Sequence, residues 1–264
     1  MSVNFVSVLL CVVDWGRGVT QLHDVVYTVG LLTSTVSRFS AARQEQLTDI
    51  RVIGLRVPTD IAACERMSQL YVADDPWPGT QSCIWRISSD GEDIQRWLPK
   101  SPSDTFRPVT LSVTSTRLLV TSLGSQLRQF DVDGAELRNI SLPDLVEPRH
   151  AVESPAGTFI VSTTRPGRCE VIEVNDEGQL LHQFSDSLGA VPHLAIDSRG
   201  ILFVADSRNN HILLLDAQLA LCRVVIDMHQ LNSELPLRLC YNEHSGQLLV
   251  VVSVGIVKVF DVLC

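Results

Sequence analysis

The sequence predicts an all-β fold, a six-bladed β-propeller of four-stranded antiparallel blades, on three observations. A proline-headed motif recurs five times at nearly constant spacing. The runs that it heads alternate apolar and polar residues with the period of a strand. The 264 residues accommodate six units of about 44.

The motif starts at Pro58, Pro108, Pro148, Pro192 and Pro236, at successive intervals of 50, 40, 44 and 44 residues. Each proline opens a short alternating stretch, as in Pro58–Ala62 and Pro192–Asp197. Proline cannot donate to a β-ladder, and the first residue of a strand is one of the few places in a sheet that tolerates it. A second, more apolar strand follows at Gln69–Asp74, Arg117–Ser122, Thr158–Ser162, Ile201–Asp206 and Gln247–Ser253. A third alternating run follows at Cys83–Ile87, Gln126–Phe130, Glu170–Val174, His211–Leu215 and Ile256–Phe260. Several third runs pass through acidic or glycine turns (Ser89–Gly91, Val132–Gly134, Asp176–Gly178) into a more polar fourth run such as Asp93–Leu98 or Gly178–Phe184. Asp-Gly between apolar runs is a hairpin signal, because the turn needs a positive φ that these residues accept. Each unit is therefore a four-stranded antiparallel meander.

A unit of this size cannot bury both faces alone, so copies pack side by side, as an open stack or as a ring. Radial packing is the usual solution, and it makes each unit a blade. Five clearer copies occupy 58–264. Strand-like runs at Leu9–Val13, Asp24–Val29 and Thr35–Phe39 make 1–57 a degenerate first blade. Ser40–Leu47 also reads as a short helical excursion. The last copy reaches Cys264 directly after its third strand, so N-terminal residues are expected to supply the fourth and close the ring, removing a long exposed edge. No linker or low-complexity tract interrupts the chain, and the expectation is one domain over 1–264.

Composition bounds the function. With 45% hydrophobic residues and 19% charged, the chain can bury a large core, which excludes disorder as its main state. Thirty acidic residues face 21 basic ones, so nucleic acid is disfavoured as the main partner; a basic face in the folded protein would revive it. The apolar runs Phe5–Val13 and Leu248–Val257 fall far short of the roughly 20 residues of a membrane span. Phe5–Val13 also lacks the preceding Lys or Arg and the following small-x-small site of a secretory leader. The seven cysteines make no CxxC element, and most sit in apolar segments such as Leu239–Tyr241 and Leu221–Arg223, which predicts reduced core thiols in a cytoplasmic protein.

The segment Pro192–Asp216 resembles the NHL repeat. It has a proline and a short strand ending in Asp197-Ser198-Arg199-Gly200, then the apolar strand Leu202–Asp206, then Asn210-His211-Ile212, which matches the name-giving Asn-His-Leu with one conservative change. The Pro58 copy matches in part through Leu70–Asp74, and the copies at Pro108, Pro148 and Pro236 keep the apolar skeleton without the Asn-His step. The resemblance covers roughly 58–264. It implies a six-bladed propeller whose first strands line a central channel. NHL propellers serve as substrate- or RNA-binding ends of RING and B-box ubiquitin ligases, and elsewhere as enzymes such as a zinc-dependent peptide-amidating lyase. No RING or B-box spacing is present in this sequence.

Two residues after the repeat proline, where the NHL pattern usually carries glycine, stand Asp60, Thr110, His150 and Arg238. His193 reaches the same level when Asp197 is aligned through its Asp-x-x-Gly turn. Side chains at one level of a ring converge on one axis, so these five are candidate ligand- or partner-binding groups. Two imidazoles and a carboxylate are also a competent set for zinc, and a nearby arginine suits an anionic substrate. The competing reading makes them inter-blade hydrogen-bonding groups. Trp77, held between Pro76 and Pro78, is a candidate contact anchor. Asp74 and Asp206, which end matching second strands, are expected to cap turns through backbone N–H groups. Neither Gly-x-Ser-x-Gly, GxxxxGK[ST] nor GxGxxG occurs.

The expected function is that of a non-catalytic, monomeric scaffold that binds a protein or peptide at the channel mouth, with no cofactor and no membrane. The alternatives are a metal-dependent lyase or hydrolase using Asp60, His150 and His193, and an RNA-binding propeller.

Overall fold

The computed structural model describes residues 2–9, 16–76, 81–97, 106–122, 124–143, 146–165, 168–185, 188 and 192–263. In it six four-stranded antiparallel sheets stand as blades around a central channel. The first blade holds β2 to β5 (Gly16–Leu22, Val25–Gly30, Thr35–Ser40, Gln46–Arg51) and the second β6 to β9 (Pro58–Cys64, Gln69–Asp74, Cys83–Ser88, Ile94–Trp97). The third holds β10 to β13 (Pro108–Thr114, Arg117–Ser122, Gln126–Asp131, Glu136–Ser141) and the fourth β14 to β17 (Glu147–Glu153, Phe159–Arg165, Arg168–Val174, Leu180–Phe184). The fifth holds β18 to β21 (His193–Ile196, Leu202–Asp206, His211–Leu215, Leu221–Ile226). The sixth takes β22 to β24 (Pro236–Asn242, Gln247–Val252, Val257–Leu263) and completes itself with β1 (Ser2–Leu9), which pairs antiparallel with β24.

Among the described residues the hydrophobic core divides into six clusters, one at each seam between neighbouring blades. Leu22, Tyr27 and Val36 of the first blade, for example, pack against Ile61, Leu70, Val72 and Trp85 of the second. Val19, Val26 and Phe39 meet Leu249, Val251 and Val259 where the last blade returns to the first. The alternation read in the second and third strands supplies both faces of each blade, so every blade contributes to two seams. Each fully buried large side chain, such as Tyr71, Phe130 or Phe203, contributes about 1.5–3 kcal/mol relative to exposure.

Two local readings change. Ser40–Leu47 is no helix: Ser40 ends β4, a turn with Gln44 at φ 56° follows, and β5 begins at Gln46. Ser40 itself satisfies that turn, accepting the Arg43 and Gln44 N–H groups through its hydroxyl and carbonyl oxygens. The cysteines are not uniformly core residues either. Cys64 and Cys83 are buried, whereas Cys222 is exposed because it lies on β21, the outermost strand of its blade. Cys11 and Cys264 lie outside the described residues.

Candidate functional site at the channel axis

In five blades a β-bulge lies near the start of the first strand, as between Pro58 and Asp60 or Pro148 and His150. A bulge re-aims the residue after it. Asp60 pairs with Ala73, Thr110 with Thr121, His150 with Ser162, His193 with Ala205 and Arg238 with Val251. These five therefore occupy one level of the ring, and His193 is the register equivalent of Asp60. The sixth position at this level is Gly18, paired with Val29. Sequence reading missed it because no proline heads that strand.

At this level each side chain reaches the backbone of the next blade. The Leu111 N–H donates to Asp60 Oδ2 at 2.9 Å, and Thr110 Oγ1 donates to the Arg149 carbonyl at 2.9 Å. His150 Nδ1 accepts the Leu194 N–H at 3.3 Å, and His193 Nδ1 accepts the Leu239 N–H at 3.2 Å. Arg238 Nε donates to the Arg17 carbonyl at 2.6 Å, which joins the last blade to the first. At the remaining seam Gly18 makes room: a Cβ there would stand 2.7 Å from the Ile61 nitrogen and 2.9 Å from Asp60 Oδ1. A first strand is hydrogen-bonded on one side only, so its other edge presents unpaired backbone groups to the channel. The belt of side chains satisfies part of that edge.

Burial sets the charge states. Desolvation pushes the Asp60 carboxyl up to about 6, against the opposing pull of Arg238 and of the Leu111 and Ile61 N–H groups. Desolvation, reinforced by Arg238, holds His150 down to about 3 despite a hydrogen bond with the Leu111 backbone. His193 is held well below the ordinary range by desolvation, His150 and Arg238. Both imidazoles are therefore neutral at pH 7. Because their Nδ1 atoms accept backbone N–H bonds, the single ring proton of each sits on Nε2.

Asp60, His150 and His193 bring one potential ligand atom each to within 4.8 Å of the others. Two features of the geometry oppose a metal there. The His150 and His193 rings are stacked, with centroids 3.7 Å apart and planes inclined by only 24°. A metal lies in the plane of each imidazole that binds it, about 2.0–2.1 Å from nitrogen for zinc, and nearly parallel planes do not meet so close. A metal-binding His also uses its second ring N–H as a hydrogen-bond donor, whereas here both Nδ1 atoms accept a hydrogen bond and the ring proton occupies Nε2.

These residues form the floor of a cavity of about 800 Å³ rather than its mouth. Asp60, His150 and His193 line it at one end; His23, Arg66, Ser115, Glu243 and His244 line it at the other, where first strands turn into second strands. Thr110 and Arg238 are not among its lining residues. His193 Nε2 is buried and has no hydrogen-bond partner among the described residues.

Asp74 and Asp206 serve their turns. Asp74 Oδ1 accepts the Val57 N–H at 2.8 Å and the Arg56 N–H at 3.3 Å, and its Oδ2 accepts the Trp85 indole N–H at 3.1 Å. Asp206 accepts bonds from the backbone and side-chain nitrogens of Asn209 and lies 3.2 Å from His211 Nε2. Trp77 lies outside the described residues. No helix among the described residues is long and apolar enough to cross a membrane.

No protein-family model and no curated protein matches the chain. Solved structures do. Similar to it are the WD40 β-propeller domain of Doa1, at 14% identity and a TM-score of 0.67 over 98% of this chain and 96% of that one, and Kuenenia stuttgartiensis hydrazine synthase, at 12% identity and 0.64 over 93% and 95%. Likeness at this identity establishes the propeller fold and leaves function to the site itself.

Proposed function

We propose that this protein is a non-catalytic propeller that binds a protein or peptide segment at its central channel. The observation that carries the reading is that the groups best suited to chemistry are committed to the fold. Asp60, Thr110, His150, His193 and Arg238 each hold the neighbouring blade, while a cavity of about 800 Å³ remains open above them. An NHL-type origin is part of the proposal. Its supports are the Asp197 turn, whose carboxylate accepts the Arg199 and Ile201 N–H groups, and the Asn210-His211 step into β20. An intracellular setting is proposed on the free thiols of Cys64, Cys83, Cys169, Cys222 and Cys240.

Selection of a displayed random-peptide library on the intact protein tests the reading. Enriched peptides whose binding is lost when the cavity rim is altered support it. Absence of any enriched sequence contradicts it.

A further inference from the structure

Among the described residues, negative charge is in excess at one end of the ring. At the end onto which the cavity opens, the first-to-second-strand turns carry Asp24, Glu65 and Glu243. The third-to-fourth-strand turns at the same end carry Asp90, Glu92 and Asp93 in the second blade, Asp133 in the third, and Asp176 and Glu177 in the fourth. Arg43, Arg66 and Arg199 are the basic residues in these turns, and two of them are already engaged, Arg43 with Glu45 and Arg199 with Asp197. At the opposite end stand Arg51, Arg56, Arg107, Arg149, Arg168 and Arg208. Several of those are matched by acids, as in Arg107 with Asp75, Arg149 with Glu147 and Arg168 with Glu170. Among the described residues the opposite end also carries Asp74, Asp75, Glu147, Asp206, Asp227 and Glu234 beside these arginines, so the excess of acid lies around the open end of the cavity.

Three further observations point from this field to a ligand. The cavity walls are edges of the six first strands, each hydrogen-bonded on one side only, so they offer backbone donors and acceptors to an extended chain. Its floor holds the Asp60 carboxylate, whose burial is incompletely offset by Arg238. Beside it is the buried His193 Nε2–H, which has no partner among the described residues and needs an acceptor. An extended peptide bearing Lys or Arg supplies all of these complements: backbone groups for the strand edges, a carbonyl for His193 and a cationic side chain for Asp60. An anionic chain, nucleic acid included, meets a repelling rim.

We infer that the channel takes an extended basic peptide segment, entering through the acidic end of the ring. This rests on the peptide-binding reading above and specifies its partner. The acidic face steers the encounter, so association falls with added salt. The direct test is fluorescence anisotropy with a short labelled peptide of alternating Lys and Thr, beside its Glu-Thr counterpart and a labelled oligouridylate. Wild-type protein should bind the Lys-Thr probe alone, and the Glu65→Lys, Glu243→Lys double variant should lose tenfold or more in affinity. Glu177→Lys, on the same face but away from the cavity lining, should change it less than threefold. Equal losses in the two variants, or no loss in either, would overturn insertion at the cavity. Preference for the Glu-Thr probe or the oligouridylate would overturn the charge assignment. Enrichment of neutral or acidic sequences from the peptide library overturns the basic partner while leaving peptide binding intact, and an empty selection overturns both.

Discussion

His193 lies against His150 of the neighbouring blade, ring on ring at 3.7 Å, and each passes its Nδ1 lone pair to a backbone N–H of the following blade. A single arrangement thus closes two seams and fixes both tautomers. Replacing either ring with Phe keeps the stacked bulk and removes the acceptor. Each such variant should lose about 1–3 kcal/mol in urea unfolding, the cost of one unsatisfied buried donor. A loss below about 0.5 kcal/mol would show that the Leu194 and Leu239 N–H groups find water instead.

Acid should weaken the fold through the same rings. Both imidazoles have pKa values lowered in the folded state, so their contribution is present above the ordinary histidine value near 6.5 and is lost as pH falls below it. Asp60 works in the opposite sense. Its pKa is raised to about 6 from 3.8, so the folded state takes up a proton before the unfolded one, and stability is gained as pH falls through that window. Two groups outweigh one, and the melting temperature should decline from pH 6.5 towards 4. Asp60→Asn should steepen that decline; a slope unchanged in the variant would contradict the assignment.

Gly18 is required by its neighbour rather than by its own backbone. It lacks a positive φ, but a Cβ would press on the Ile61 nitrogen and Asp60 Oδ1, neither of which can yield without opening the seam. Gly18→Ala should cost about 1–3 kcal/mol, the usual range for overpacking. A neutral result in thermal melts would mean that the first and second blades sit further apart at this level.

Asp74 has an optical reporter in Trp85. Asp74→Ala removes the acceptor of the indole N–H and of the Val57 and Arg56 N–H groups. Stability should fall by more than about 2 kcal/mol, since charge-assisted bonds are worth about 1.5–3 kcal/mol each. Trp85 emission should change in the folded state. A loss of stability with unchanged emission would place the effect at the backbone bonds alone.

The ring of four-stranded blades was legible in the sequence because period-two alternation and proline spacing are local properties of each repeat. Pro58, Pro108 and Pro236 do head first strands, Pro148 stands second in its strand, and His193 was placed at the right level by its Asp-x-x-Gly turn. What the level does was not legible. Asp60 and Leu111 are 51 positions apart and meet only because blades pack radially. No motif announced Gly18, whose importance comes from the Asp60 carboxylate of another blade. The set Asp60, His150 and His193 reads as metal ligands by residue type alone; the stacking angle and the direction of two backbone N–H bonds, which oppose that reading, are properties of the fold. The placement of charge was hidden for the same reason, since every third-to-fourth-strand turn lands on one end of the ring.

The most direct test of the central claim, that the axial cluster is a clasp between blades rather than a reactive centre, is elemental analysis of protein dialysed exhaustively. It is run on wild type and on the His150→Ala, His193→Ala variant, with urea unfolding of both. No stoichiometric metal in wild type, together with a clear loss of stability in the variant, is the predicted result. About one equivalent of divalent metal that the variant fails to retain would contradict it and make the cluster a metal centre.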